Sequence, residues 1–278
     1  MKKINIMLFL LTMILIGGFL VSQKQLVHIS SQNTRIMSDI HKKSIPGDFV
    51  PQPMKITAIG DSLTEGVGDS SNKGGYLYFL KQKLQKLKGI SEVVIQNYGN
   101  EGNQTYDLIY LLRNPLVQQD IKESDFVFIT IGGNDLMTVV ENHFFELSLD
   151  VFLEALPKLQ DQLKETLDYV KEINPNAVIV LIGIYNPFIH WFPELEEVKK
   201  ITNDWNLLAK SVLDSYENGY FIDIEDIFEE GKVELLSDKD YFHPNNKGYE
   251  LIAERVFTTL IEQVEPSLTN RLVAKDED

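Results

Sequence analysis

The sequence predicts an α/β fold, a parallel sheet of about five strands with helices on both faces. Three observations carry that expectation. Short apolar runs recur along the chain, and most of them stop at a Gly- or Asn-bearing turn. Between them lie segments with apolar residues three and four apart, the period of a helix. The runs are apolar at consecutive positions rather than alternating, which suits strands covered on both faces.

Taken in order, the first strand is the run from Ile56 to Ile59, which breaks at Gly60 and leads into Asp61, Ser62 and Leu63. A serine there sits at the carboxyl end of a strand, the edge where open α/β sheets bind ligands. Gly66, Gly68, Gly74 and Gly75 bracket a polar loop, and a helix over 76–87 follows with Leu77, Leu80, Leu84 and Leu87 on one face. The second strand is 93–98, then a Gly/Asn turn over 99–103 and a short helix through Leu108 and Leu112. The third strand, 126–131, breaks at Gly132-Gly133-Asn134-Asp135. Residues 136–150 show no clear period. A long helix comes next, with Leu159, Leu163, Leu167, Val170 and Ile173 inward; Pro157 either starts it or kinks it, and Asn174-Pro175 stops it. The fourth strand is 177–184, followed by an aromatic loop over 185–193 and a helix carrying Leu195, Val198, Thr202, Trp205, Leu208 and Val212. A short fifth strand over 220–224 precedes His243-Pro244 and a closing helix with Tyr249, Ile252, Val256 and Leu260. No internal repeat is visible.

The chain has 278 residues, ordinary for one α/β domain with additions. It has no cysteine, which excludes disulfides, thiolate metal sites and cysteine nucleophiles. A formal net charge of −15 argues against nucleic acid as a partner, since phosphate contact needs a basic surface. Lys2 and Lys3 precede residues 4–21, whose only polar side chains are Asn5 and Thr12. Residues 1–22 therefore read as a signal peptide or an N-terminal membrane anchor. A small-x-small cleavage site is hard to find, which favours the anchor. In either case the lysines stay inside and the rest of the chain is extracytoplasmic, touching a membrane through this segment only. Residues 23–53 are polar and end in a proline-rich piece (Pro46, Pro51, Pro53), the mark of a linker or stalk. The folded domain is expected over 54–265, with an acidic tail over 266–278.

Polar residues gather at strand ends and at one helix start. Ser62 follows strand one, Gly102 and Asn103 follow strand two, Asn134 follows strand three, and Asp240 and His243 precede the last helix. In a parallel sheet the first three sites share one edge. A serine hydroxyl becomes a nucleophile when a base takes its proton, and histidine suits that task near neutral pH. The imidazole needs a carboxylate to fix its tautomer, and Asp240 lies three positions before His243. Acyl transfer also develops an oxyanion that needs fixed N–H donors. The turns at Ser62 and Gly102 offer backbone amides, and Asn134 offers a side-chain amide.

The order Gly60-Asp61-Ser62-Leu63 with Gly66, then Gly102, then Gly132-Gly133-Asn134-Asp135, then Asp240-Tyr241-Phe242-His243 resembles the GDSL/SGNH family of esterases and lipases. The resemblance runs from Met54 to about Val264. It implies a flavodoxin-like three-layer α/β/α sandwich. It implies Ser62 as nucleophile, His243 as base and Asp240 as the residue that orients it. Ser62 N–H, Gly102 N–H and the Asn134 side chain would form the oxyanion hole, with Gly99 a competitor for the place of Gly102. No cofactor or metal is implied. The substrate would be an acyl ester, a lipid or an acetylated glycan among the choices.

Two other readings compete. Asp61, Asn134 and a late histidine resemble ligands of a metal-dependent phosphoesterase, but no Asp-x-His stands on strand one. A non-catalytic, surface-anchored binding domain would not need the whole set. Asp61 and Asp135 read as acceptors that shape their turns. His28 and His41 fall in the stalk, His143 and His190 in loops, and Phe188, Trp191 and Phe192 read as packing or as a pocket wall, packing being favoured.

Overall fold

The computed structural model describes residues 50–143, 148–188, 196–229 and 233–264. The expected anchor or signal peptide, most of the linker, the acidic tail, and His28, His41, His190, Trp191 and Phe192 lie outside the described residues. Among the described residues no helix is long and apolar enough to cross a membrane.

Among the described residues five strands form one sheet: β1 (Gln52–Gly60), β2 (Ile90–Gly99), β3 (Phe126–Thr130), β4 (Val178–Ile182) and β5 (Gly219–Ile222). Their order is β2-β1-β3-β4-β5, and every neighbouring pair is parallel. The chain steps outward from β1 to β2, then returns across β1 to β3 and continues the other way. The crevice of such a sheet opens where that reversal occurs, beyond the ends of β1 and β3. Register makes those ends level, because Gly60 pairs with Gly99 on one side and Thr130 on the other.

The consecutive apolar runs are what a twice-covered sheet requires. Every residue of β3 and β4 is buried, whereas the edge strand β2 alternates with exposed positions. Val127, Ile129, Ile179 and Leu181 enter one core with side chains of α3 (Thr105–Leu111), α4 (Pro115–Glu123), α6 (Leu149–Ile173) and α7 (Glu196–Leu213). The alternate residues Phe126, Phe128, Val178 and Val180 are buried as well, on the opposite face. Over that face α2 (Gly75–Leu84) packs on α8 (Asn246–Thr259), each burying the leucine, isoleucine or valine row that the sequence spaced at three and four. Lys83 of α2 pairs with Glu254 of α8 at the rim of this contact. The expected α/β/α sandwich is therefore the fold.

Several elements differ from the sequence expectation. Ser62 opens a one-turn helix, α1 (Ser62–Glu65), where a turn was expected. Helix α4 was not foreseen, although Asn114 caps it through Leu116 N, Pro115 stands in its first turn, and Val117 and Ile121 are buried four apart. The stretch without a clear period contains α5 (Gly133–Asn142). Leu136, Met137, Val139 and Val140 share one side of it, and Leu136 and Val140 both pack on the core and line the cavity; the row is too short to set a period by itself. Pro157 lies inside α6, which begins eight residues earlier at Leu149. Its exposed position leaves water to satisfy the carbonyl that a proline ring cannot bond.

Candidate active site

Ser62 is placed by the way β1 ends. A side chain at Gly60 would meet Thr130 O at 2.5 Å and Thr130 Oγ1 at 2.6 Å, so only glycine lets β1 and β3 run this close. Asp61 then caps α1: its Oδ1 accepts from Leu63 N at 3.0 Å and from Thr130 Oγ1 at 2.7 Å. Burial is the main force on this carboxyl and pushes it up to about 6, against those two hydrogen bonds and the nearby His243. Ser62 follows as the first residue of α1, only 8 % exposed.

His243 reaches Ser62 from the far end of the sequence. Its Nε2 lies 3.0 Å from Ser62 Oγ, and its Nδ1 lies 2.9 Å from Asp240 Oδ2. The other oxygen of Asp240, Oδ1, accepts from the amides of Phe242 at 2.9 Å and His243 at 3.0 Å. Asp240 thus builds the turn that carries the ring as well as touching the ring. Partial burial raises its pKa, but the bonds from the imidazole and the two amides outweigh that and hold it below the ordinary carboxylate value. Tyr241 adopts a left-handed φ of 50° inside this turn. Three more contacts fix the turn: Tyr185 Oη donates to Phe242 O at 2.6 Å, Ser237 N donates to His243 O at 2.7 Å, and Leu236 bridges to Pro244.

The turns after β2 and β3 are tied to the same edge. Asn103 Nδ2 donates to Gly60 O at 2.9 Å, and Asn100 N donates to the same carbonyl at 3.1 Å. Asn134 Nδ2 donates to Asn103 O at 2.8 Å, which holds the amide at the junction of the two turns. Asp135 fastens that junction from beneath, accepting from Thr105 N at 3.0 Å and Thr105 Oγ1 at 3.0 Å. Its carboxyl is pushed up to about 6, chiefly by burial. The two glycines of the second turn differ. Gly99 N donates to Asn97 Oδ1, and a Cβ at Gly99 would lie 2.2 Å from Glu65 N. Gly102 has a left-handed φ of 84° and open space where a Cβ would be. Among the described residues, neither the Gly102 amide nor the Ser62 amide donates to a partner in the chain.

A cavity of about 580 Å³ opens beside this cluster. Asp61, Ser62, Asn134 and His243 form one end, and α5, α6 and α7 form the wall. Phe188 lines it, the pocket-wall side of the two readings its sequence allowed; His143 is exposed and is not part of the lining. Asp61, which a phosphoesterase would use as a ligand, spends Oδ1 on two hydrogen bonds within the chain. Tyr185 and Ser237, which hold the His243 turn, were not singled out in the sequence. Neither lies in a motif, and the only signal was the place of Tyr185 just after the fourth strand.

Serine, histidine and aspartate stand hydrogen-bonded in a row at the carboxyl edge of the sheet, and with the family match that follows, the chain is a carboxylic ester hydrolase. The chain belongs to the GDSL-like lipase/acylhydrolase family, whose model matches residues 58–251. It is 37% identical over 206 residues to the uncharacterized protein YpmR of Bacillus subtilis, covering 74% of this chain and 80% of that one. It is 30% identical over 207 residues to the spore germination lipase LipC of Bacillus licheniformis, covering 73% of this chain and 94% of that one. Among solved structures, the lipase Lip_vut3 from a goat rumen metagenome superposes with a TM-score of 0.68 at 29% identity, over 76% of this chain and 99% of that one. The acetylxylan esterase Axe2 of Geobacillus stearothermophilus shares the fold, with a TM-score of 0.56 at 22% identity over 77% of this chain and 96% of that one.

Proposed function

We propose that this chain hydrolyses carboxylic esters through an acyl-enzyme on Ser62. The observation that carries the reading is the unbroken row from Ser62 Oγ to His243 Nε2 and from His243 Nδ1 to Asp240 Oδ2. His243 takes the hydroxyl proton as Ser62 Oγ attacks the ester carbonyl. Asp240, held ionised, keeps the imidazole in the tautomer that accepts at Nε2 and stabilises the imidazolium that forms. The carbonyl oxygen becomes an oxyanion and is met by the amides of Ser62 and Gly102 and by Asn134 Nδ2. Gly102 suits this better than Gly99, whose amide is already committed to Asn97. The tetrahedral intermediate collapses, the C–O bond to the alcohol breaks, and His243 returns its proton to the departing alkoxide. Water then attacks the acyl-serine with the same base and donors, releasing the acid and restoring Ser62. Two of the relatives above carry the word lipase in their names, in line with an ester substrate.

Ser62→Ala tests this. Turnover of p-nitrophenyl butyrate falls by on the order of 10⁴ while the melting curve stays cooperative. Near-normal turnover by the variant would show that another group attacks.

The reading includes an extracytoplasmic location, set by Lys2, Lys3 and the apolar residues 4–21. Protease added to intact cells making the full chain then digests the hydrolase domain. Protection equal to that of a cytoplasmic marker would refute it.

A further inference from the structure

The wall of the cavity says what kind of acyl group it takes. Leu136, Met137 and Val140 come from α5, Phe152 from α6, Ile201 from α7 and Phe188 from the segment after β4. The polar side chains sit elsewhere. Asp61, Ser62, Asn134 and His243 cluster at the reacting end, and Ser148 and Glu197 are exposed residues of the lining. Thr202 is buried in the lining, but its Oγ1 already donates to Val198 O at 3.0 Å.

A sugar ring placed against this wall would lose water from its hydroxyls and gain no partner, which costs free energy for each one. An acetyl group would leave most of the 580 Å³ unfilled. An alkyl chain gains from every methylene it buries there. We propose that this cavity is an acyl subsite that selects esters of linear chains on the order of eight carbons or longer over acetyl esters. The proposal rests on the reading of Ser62 as nucleophile and adds the acyl class to it. It assigns the side chains of α5, α6 and α7 the part of setting chain-length preference.

The test uses the full chain and p-nitrophenyl esters from acetate to octanoate below their aggregation limits. Each added methylene raises kcat/KM by up to about fourfold, and octanoate exceeds acetate by at least on the order of a hundredfold. A flat series, or acetate as the best ester, would overturn the acyl subsite while leaving the hydrolase reading intact. Labelling with ethyl and octyl fluorophosphonates separates the two readings on the unmodified chain. The octyl reagent inactivates faster if the subsite exists, and the two react equally if it does not. No ester turnover and no label on Ser62 from either reagent would sink the hydrolase reading and the subsite with it. Val140→Trp narrows the wall and shrinks the octanoate-to-acetate ratio at least tenfold. An unchanged ratio in a folded variant would remove α5 from the subsite.

Discussion

Asn134 shows how one side chain serves structure and chemistry together. One Nδ2 hydrogen is spent on Asn103 O, so the amide is held in place before any substrate arrives. In the proposed mechanism the second would serve the developing oxyanion, with no reorganisation needed at the moment of reaction. Asn134→Ala therefore costs roughly 3 kcal/mol in kcat/KM, on the order of a hundredfold, with KM little changed. An unaltered kcat would exclude the residue from the oxyanion hole. Asp240 has the same double character, with one oxygen on the ring and the other on two amides of the turn. At this scale the sequence singled out residues that the structure brings together, Ser62, His243 and Asp240 in one hydrogen-bonded row. Ser62, Asn134, Asp240 and His243 could be picked out because each reaction role demands a particular residue type at a turn. Gly102 against Gly99 was not decidable in sequence, because both are glycines and the difference lies in which amide is already bonded.

At the scale of elements, the turn over Asp240–His243 is the part with the most support. Tyr185, at the exit of β4, is buried, stacks on Phe228 with ring centroids 4.1 Å apart, and donates to the carbonyl just before His243. Its ring is fixed by packing and its hydroxyl by that bond, so it positions the imidazole without touching the serine. Tyr185→Phe keeps the packing and removes the bond. We expect kcat to fall by on the order of tenfold with KM held, because a small misplacement of a reacting group is costly. A matching fall in stability with kcat unaltered would reduce Tyr185 to a packing residue. A second fastening runs through α7, where Asn206 accepts from Ile184 N and donates to Ile184 O, both at 2.9 Å. Close approach also governs the exit of β3: Gly132 has a left-handed φ of 113°, and a Cβ there would lie 2.2 Å from the Trp205 ring. None of these long-range contacts leaves a periodic trace, which is why helices and strands were readable and their fastenings were not.

The whole molecule carries a pH signature from its buried carboxyls. Asp61 and Asp135 each rise from an ordinary 3.8 to about 6, mainly through burial. Between those values the folded chain holds protons that the unfolded chain has released. Raising the pH through this window therefore destabilises the fold by about 1.4 kcal/mol per pH unit for each group. Their contribution is fully present below pH 4 and lost as pH rises through about 6. Glu225, raised to about 7 by burial and then by Asp223, acts in the same direction but is half-buried and partly screened by water. Asp135→Asn removes one of these slopes. Urea midpoints measured from pH 4 to pH 7 should flatten by about one proton's worth relative to the parent chain. An identical pH profile would mean that Asp135 does not titrate there.

What the amino-acid order determined alone was local and repetitive: five apolar runs, the helical rows between them, and the turn residues that break each strand. Parallel sheets bring such breaks to one edge, so the convergence of Ser62 and Asn134 follows from topology. Tertiary structure decided the rest. Helix α5 was not read because its single apolar row, Leu136 to Val140, is too short to set a period, and the cavity it lines exists only where three helices meet. The 3.0 Å contact between His243 and Ser62, residues 181 positions apart, depends on bonds from Tyr185, Ser237 and Asp240 that no spacing rule encodes.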